Sequence, residues 1–141
     1  MRPAMKQFLR HEKVLFKHCD PAGIVFFPRY FEMMNDLIEG FFADALAYPF
    51  ETLLKTHGIP TAQIETRFLR PSRHGDLLAL RLGFERVGRS SASYRMTADC
   101  GGELRFETRA TLVHVDGAGR PCPWPAAQRE ILKTYEAQDD P

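Results

Sequence analysis

The stretch "HCDPAGIVFFPRYFEMMNDLIEGFF", residues 18–42, places a turn directly before a strongly apolar helix. Between Tyr30 and Leu46 the apolar residues recur at helical spacing. They form two adjacent rows, which are Phe31, Met34, Ile38, Phe41 and Ala45, and Tyr30, Met33, Leu37 and Phe42. Pro28 suits the first turn of a helix, where its missing N–H is harmless. An apolar face this wide predicts a helix that is nearly enveloped by protein.

After a short second helical piece, "PFETLLKTHG" at residues 49–58, the period of the apolar residues changes to two. This alternation predicts four strands, and a first strand is expected near residues 8–16. The alternating faces are Ile64, Thr66 and Phe68; Leu78, Leu80, Leu82 and Phe84; Ala92, Tyr94, Met96, Ala98 and Cys100; and Leu104, Phe106, Thr108, Ala110 and Leu112. The tight breaks between them favour antiparallel pairing. The sequence therefore predicts an α+β fold in which a five-stranded antiparallel sheet wraps around the long central helix, with a short terminal helix within residues 117–137.

The composition favours a single domain spanning residues 1–141 in the cytoplasm. The formal net charge is +1, so no overall charge points to nucleic acid. No apolar run approaches the roughly 18 residues that span a bilayer, and the first residues do not resemble a signal peptide. The three cysteines are widely spaced and give neither a disulfide framework nor a C-x-x-C metal site.

Three reactive side chains stand in a row before the helix, His18, Cys19 and Asp20. Neighbours on an extended chain point to opposite faces, so His18 is poorly placed as a base for a Cys19 nucleophile. No second group lies at ligand spacing, so no metal is expected here. Asp20 before Pro-Ala-Gly is an ordinary turn former. Its alternative interpretation is catalytic, because the turn leads directly into the start of the helix.

The start of that helix is a favourable place for a developing negative charge. The first N–H groups of a helix have no intrahelical acceptor, and the helix dipole makes this end positive. A carbonyl oxygen placed there would be stabilised as it gains charge, as in an oxyanion hole. Pro28 cannot donate, so the N–H of Phe27 is the leading candidate. A carboxylate beside such a hole suits thioesters, since a thiolate leaves easily, and no G-x-S-x-G motif indicates a serine nucleophile.

The segment "CDPAGIVFFPRY", residues 19–30, resembles the active-site loop of the 4-hydroxybenzoyl-CoA thioesterase family of hotdog-fold proteins. "RFLRPSRHGDLL", residues 67–78, and "VHVDGAGRPCPWP", residues 113–125, resemble a strand entry and the last strand of that family. The resemblance implies acyl-CoA hydrolysis at the interface of a homodimer or homotetramer. It implies no cofactor, because coenzyme A is part of the substrate.

The resemblance also implies roles for single residues. The catalytic carboxylate of the family corresponds to Asp20, which would attack the thioester carbon or activate a water molecule. The oxyanion-hole amide corresponds to Phe27. Asn35 stands where the hydroxybenzoyl enzyme has an acid that holds the phenol. A different small aromatic or a short aliphatic acyl group is therefore expected.

The coenzyme A phosphates need a local basic cluster, and the hairpin "ERVGRSSAS", residues 85–93, offers one. Its candidate contacts are Arg86, Arg89, Ser90 and Ser91. A second cluster comprises Arg67, Arg70 and Arg73, and the histidines His11, His57, His74 and His114 are expected to be surface or sheet residues without a role.

Two other functions remain open for this fold. A hydratase or dehydratase would use a histidine in the substrate tunnel and usually an "HFPGxPxMPG"-like stretch, which is absent. A non-catalytic acyl-CoA-binding module would keep the pocket without hydrolysis.

Overall fold

A computed structural model describes residues 6–137 of the chain, and residues 1–5 and 138–141 lie outside this range. The long helix predicted from the sequence, α1, spans Pro28–Asp44 and begins with the proline in its first turn. Its buried residues are Tyr30, Met33, Met34, Leu37, Ile38, Phe41 and Phe42. Among the described residues, no helix has the length and apolar character needed to cross a membrane.

Five antiparallel strands form one sheet, which confirms the predicted α+β architecture. The strands are β1 (Phe8–Lys13), β2 (Thr61–Phe68), β3 (Leu77–Val87), β4 (Ser91–Cys100) and β5 (Glu103–Val113), in the spatial order β1-β3-β4-β5-β2. The alternating apolar residues of β3, β4 and β5 are buried against α1, as the period of two requires. The core therefore lies between one face of the sheet and the helix.

The turn between β4 and β5 shows how tightly the strands are connected. Only Gly101 and Gly102 separate the two strands, and both have positive φ values, 55° and 85°. Two-residue hairpin turns need such angles, which glycine adopts without a steric penalty.

The first strand and the second helix are shorter than the sequence predicts. β1 ends at Lys13 because the N–H of Leu15 donates to Nδ1 of His18 at 2.8 Å, which turns the chain into a single 3₁₀ turn at Phe16–His18. The second helix, α2, covers only Phe50–Leu53. The terminal helix, α3 (Ala126–Thr134), packs beside β3.

The edge strand β2 does not bury its apolar face in this chain. Ile64 and Phe68 are 45% and 46% exposed, although the alternation places them on the helix side of the sheet. The helix covers the middle of the sheet and leaves this edge open. An exposed edge with apolar side chains is a surface that a second chain can cover.

Candidate active site

Residues 18–26 form a small hairpin that ends at the start of α1. Cys19 pairs with Val25, the N–H of Asp20 donates to the carbonyl of Ile24 at 2.9 Å, and the N–H of Phe26 donates to the carbonyl of His18 at 2.9 Å. Gly23 closes the turn with a positive φ of 80°. The hairpin therefore brings Asp20 back towards the first residues of the helix.

The carboxylate of Asp20 has two oxygens with different environments. Oδ1 accepts a hydrogen bond from the N–H of Ala22 at 2.9 Å, which stabilises the turn. Oδ2 has no hydrogen-bond partner among residues 6–137, and the residue is half-buried. The turn-forming and catalytic interpretations are thus compatible, because one oxygen holds the loop and the other is available to a substrate.

The backbone N–H of Phe27 is a free donor at the positive end of α1. Phe27 occupies the N-cap position, and its N–H has no acceptor within the described part of the chain. The next amides are used, since Arg29 and Tyr30 donate to the carbonyls of Phe26 and Phe27. A substrate carbonyl can therefore bind this N–H without displacing an existing hydrogen bond.

His18 and Cys19 support the hairpin. His18 is buried and accepts the N–H of Leu15, and its burial, followed by the charge of Lys17, lowers its pKa. The thiol of Cys19 points to the carbonyl of Leu15 at 3.6 Å. No hydrogen bond joins the imidazole to the thiol among the residues that the structure describes. This arrangement gives the thiol no base.

A partly buried ion pair fastens the hairpin to the sheet. The N–H of Val25 donates to the carbonyl of Ser72 at 2.9 Å. The guanidinium of Arg105 contacts Oγ of Ser72 at 3.2 Å and the carboxylate of Asp76 at 2.7 Å. The N–H of Arg73 and then Arg105 lower the pKa of Asp76, so its carboxylate is charged well below neutral pH. Asp76 lies in the stretch at residues 67–78 that resembles the family's strand entry, whereas no sequence pattern singled out Arg105.

Two apolar hollows flank the exposed strand β2. A groove of about 450 Å³ begins at the hairpin and is lined by Ile24, Val25, Phe27, Tyr30, Phe68, Leu69, Arg70 and Pro71. A cavity of about 480 Å³ lies further along α1, and Asn35 and Tyr94 are among its polar lining residues. Tyr94 is only 3% exposed. The alternation of apolar residues in β4 predicts a core position for this tyrosine and does not indicate that it borders a cavity.

The predicted site residues do not all meet within one chain. Asp20 and Phe27 are joined by the hairpin, and Asn35 lies about 12 Å along the helix from Phe27 at 1.5 Å per residue. Arg86 lies near the end of β3, Arg89 and Ser90 lie in the turn that follows, and Ser91 begins β4. The opposite end of β3 follows the loop in which Arg73 pairs with Ile24 of the hairpin. Eleven strand residues span roughly 33 Å, so the basic turn is remote from Asp20 of the same chain.

Solved structures of several named thioesterases have this architecture. The family model of the thioesterase-like superfamily matches residues 14–132. The structure is similar to a 1,4-dihydroxy-2-naphthoyl-CoA thioesterase from Synechocystis, with 15% identity, a TM-score of 0.83, and coverage of 91% of this chain and 96% of that one. It is also similar to the Dynemicin thioesterase, with 19% identity, a TM-score of 0.87, and coverage of 95% of this chain and 100% of that one. A third similar structure is a gentisyl-coenzyme A thioesterase, with 23% identity, a TM-score of 0.80, and coverage of 89% of this chain and 99% of that one. No curated protein matches the chain.

Proposed function

The chain belongs to the thioesterase-like superfamily, and from this membership we propose that it hydrolyses acyl-CoA thioesters by carboxylate catalysis. The family resemblance and the hotdog fold predicted from the sequence are both confirmed. One observation carries the mechanism. The free oxygen of the Asp20 carboxylate is held by the same hairpin that leads to the unpartnered N–H of Phe27.

The proposed reaction begins with the thioester carbonyl oxygen bound at the N–H of Phe27. Oδ2 of Asp20 attacks the carbonyl carbon, or it takes a proton from a water molecule that attacks. The negative charge that develops on the carbonyl oxygen is stabilised by this N–H and by the positive end of α1. The carbon–sulfur bond then breaks, and coenzyme A leaves as a thiolate, whose conjugate acid has a pKa of about 8.5. In the nucleophilic route, water then hydrolyses the anhydride between Asp20 and the acyl group, which releases the carboxylic acid and restores the carboxylate. In the general-base route, the acid forms directly, and the proton taken by Asp20 passes to the thiolate or to solvent.

A second copy of the chain completes the site in this proposal. If the exposed β2 strands of two copies pair antiparallel about a two-fold axis, the sheet continues and Ile64 and Phe68 are covered. The two-fold axis reverses the strand direction of the partner. This pairing places two features of the partner subunit near Asp20 of the first copy. They are the partner subunit's cavity beside Asn35 and the partner subunit's turn at Arg89.

The assembly is expected to be a homodimer or homotetramer at micromolar concentration. The physical reason is that pairing removes both the open β2 edge and the exposed apolar side chains beside it. Sedimentation equilibrium should give a mass of at least twice the 16.1 kDa of one chain. A mass equal to one chain would contradict the shared site.

The cavity beside Asn35 is the proposed acyl pocket. Its lining is mostly apolar, and it adds the Asn35 amide and the Tyr94 hydroxyl. Burial raises the pKa of Tyr94 to about 12, so its hydroxyl stays protonated and can donate to a substituent of the acyl group. This combination favours a small aromatic or short-chain acyl group with a polar substituent.

A coupled thiol-release assay over a panel of acyl-CoA substrates tests the function. The panel should contain benzoyl, hydroxybenzoyl, dihydroxybenzoyl and short aliphatic acyl groups, each with its enoyl counterpart where one exists. Thiol release identifies a thioesterase. Hydration of an enoyl group without thiol release would identify a hydratase, and binding without either reaction would identify a non-catalytic acyl-CoA-binding module.

Asn35→Asp is expected to shift selectivity towards hydroxylated aromatic acyl groups. Asn35 borders the cavity and is exposed in the single chain. A carboxylate accepts a phenolic hydrogen bond more strongly than an amide does, and a hydrogen bond to a charged group contributes about 1.5–3 kcal/mol. The measurement is kcat/KM over the same panel, with Asn35→Ala as the control that removes the polar group. An identical ranking of substrates in all three proteins would remove Asn35 from the pocket.

Arg86→Ala and Arg89→Ala are expected to raise KM more than they lower kcat. Contacts to the distant coenzyme A phosphates stabilise the ground state and the transition state alike, and the effect should shrink as salt screens it. Both arginines are exposed, so their replacement should leave the fold intact. Unchanged KM in both variants would move the coenzyme A site towards Arg67 and Arg70.

A further inference from the structure

A buried imidazole lies at the end of the sheet opposite to Asp20. His114 directly follows β5 and is 1% exposed, whereas the sequence predicts only a surface or sheet residue without a role. Its ring is nearly parallel to that of His57, with centroids 4.8 Å apart. Sγ of Cys122 lies 3.3 Å from Nδ1 of His114. One potential ligand atom from each of these three residues lies within 4.8 Å of the other two.

Backbone hydrogen bonds hold these three distant segments together. The N–H of Gly58 donates to the carbonyl of Val115 at 3.0 Å, and the N–H of Val115 donates back at 2.9 Å. The N–H of Cys122 donates to the carbonyl of His114 at 2.9 Å. A Cβ atom on residue 58 would lie 3.2 Å from the side chain of Val115, so glycine permits the close approach. The fold therefore fixes the positions of the three backbone segments that carry these side chains.

The second nitrogen of each imidazole already has a partner. The hydroxyl of Tyr48 lies 2.9 Å from Nε2 of His114, and the hydroxyl of Thr56 lies 2.7 Å from Nδ1 of His57. Imidazoles that bind metals have their other nitrogen held by a hydrogen bond in this way.

The hydrogen bonds around His114 can serve either of two tautomers. Nδ1 of His114 lies 3.2 Å from the carbonyl of Cys122 as well as 3.3 Å from its thiol, so a protonated Nδ1 can donate to that carbonyl. Tyr48 then donates to Nε2. With the proton on Nε2 instead, the ring donates to the oxygen of Tyr48, and the lone pair of Nδ1 is free for a metal.

We propose that His57, His114 and Cys122 bind one zinc ion, with water as the fourth ligand. Zinc prefers thiolate and imidazole ligands in a tetrahedron with bonds of about 2.0–2.3 Å, which places the ligand atoms roughly 3.3–3.6 Å apart. The thiol and Nδ1 of His114 already have this separation. The largest distance between two ligand atoms of the cluster must shorten by about 1 Å to match. The side chains of His57 and Cys122 are partly exposed, and their rotation supplies this change. On binding, Cys122 releases its thiol proton to solvent.

The zinc ion would tie the end of the sheet to the turn between β3 and β4. The N–H of His114 donates to the carbonyl of Ser90 at 2.7 Å, and the N–H of Trp124, two residues after Cys122, donates to the carbonyl of Arg89 at 3.0 Å. Metal binding should therefore stabilise the fold at this turn. The inference stands on the cluster alone and does not depend on thioesterase activity.

The test uses the full chain, freed of metal by chelation and dialysis. Zinc titration by calorimetry should give one ion per chain and raise Tm. Cobalt, as a spectroscopic substitute, should give the near-ultraviolet absorption of a thiolate–cobalt bond. Cys122→Ser should lose this absorption and weaken zinc binding more than 100-fold, while Tyr48→Phe should weaken it about 10–100-fold through the loss of its hydrogen bond.

Matched controls keep the test decisive. Cys19→Ser and Cys100→Ser replace thiols of similar exposure and should leave the cobalt absorption and the zinc affinity unchanged. His57→Gln changes a partly exposed side chain and should weaken zinc binding in a folded protein, as verified by circular dichroism. Absence of zinc binding by the wild-type chain would overturn the proposal. Equal zinc binding by wild type and Cys122→Ser would overturn it as well.

Discussion

Asp20→Asn is expected to lower kcat by on the order of 10²-fold or more, the usual scale for the loss of a nucleophile or general base. The amide is neutral and can neither attack a thioester carbon nor take a proton from water. The turn should persist, because the side-chain carbonyl of Asn can still accept the N–H of Ala22. Folding and coenzyme A binding should therefore survive, and the measurement is kcat with the best substrate of the panel.

The adjacent residues provide the controls for this prediction. Cys19→Ser and His18→Gln keep approximate size and should cost far less activity, since both side chains hydrogen bond to Leu15 rather than to each other. Because burial makes His18 a structural residue, its variant also needs a thermal unfolding measurement. An inactive Cys19→Ser beside an active Asp20→Asn would show that the carboxylate mechanism is wrong and would place the chemistry on the thiol.

Much of the fold could be predicted because its signals are local. The two apolar rows of α1 and the alternation in β3, β4 and β5 each follow from burial of one face, and the structure confirms them. The boundaries were less predictable where a side chain intervened. β1 ends early because His18 accepts the N–H of Leu15, a contact that periodicity does not encode.

The site was predictable only where its parts are neighbours in sequence. Asp20 and Phe27 stand within one hairpin, and the sequence resemblance identified both as candidates. Arg105, by contrast, lies on β5, more than eighty residues after Asp20 in the sequence. It contacts Ser72 and Asp76 in the loop that holds the hairpin, and the order of strands in the sheet brings these residues together.

The cluster at the opposite end shows the same limit. His57, His114 and Cys122 have no metal-ligand spacing in sequence, and only the pairing of Gly58, Val115 and Pro121 brings them together. Long-range strand register therefore decides which polar residues meet, and a single sequence carries little information about it.

Phe27→Pro is expected to lower kcat by about 10²–10³-fold, the effect of removing one oxyanion-hole donor. The substitution deletes the proposed donor and little else of the backbone. The φ value of Phe27 is −52°, within the range of proline, and its N–H has no acceptor among residues 6–137 that would be lost. The N–H of Phe26, which donates to the carbonyl of His18, is unaffected.

Phe27→Ala is the matched control for that donor. It keeps the backbone N–H and removes only the ring, which is 55% exposed and packs against Phe68. Both variants lack the ring and should therefore share its effect on KM. If the amide stabilises the transition state, Phe27→Pro should in addition lower kcat far below that of Phe27→Ala. Equal losses of kcat in the two variants would assign the effect to the ring. Full activity of a folded Phe27→Pro protein would remove this N–H from the mechanism, and the developing charge would need a donor from elsewhere in the assembly.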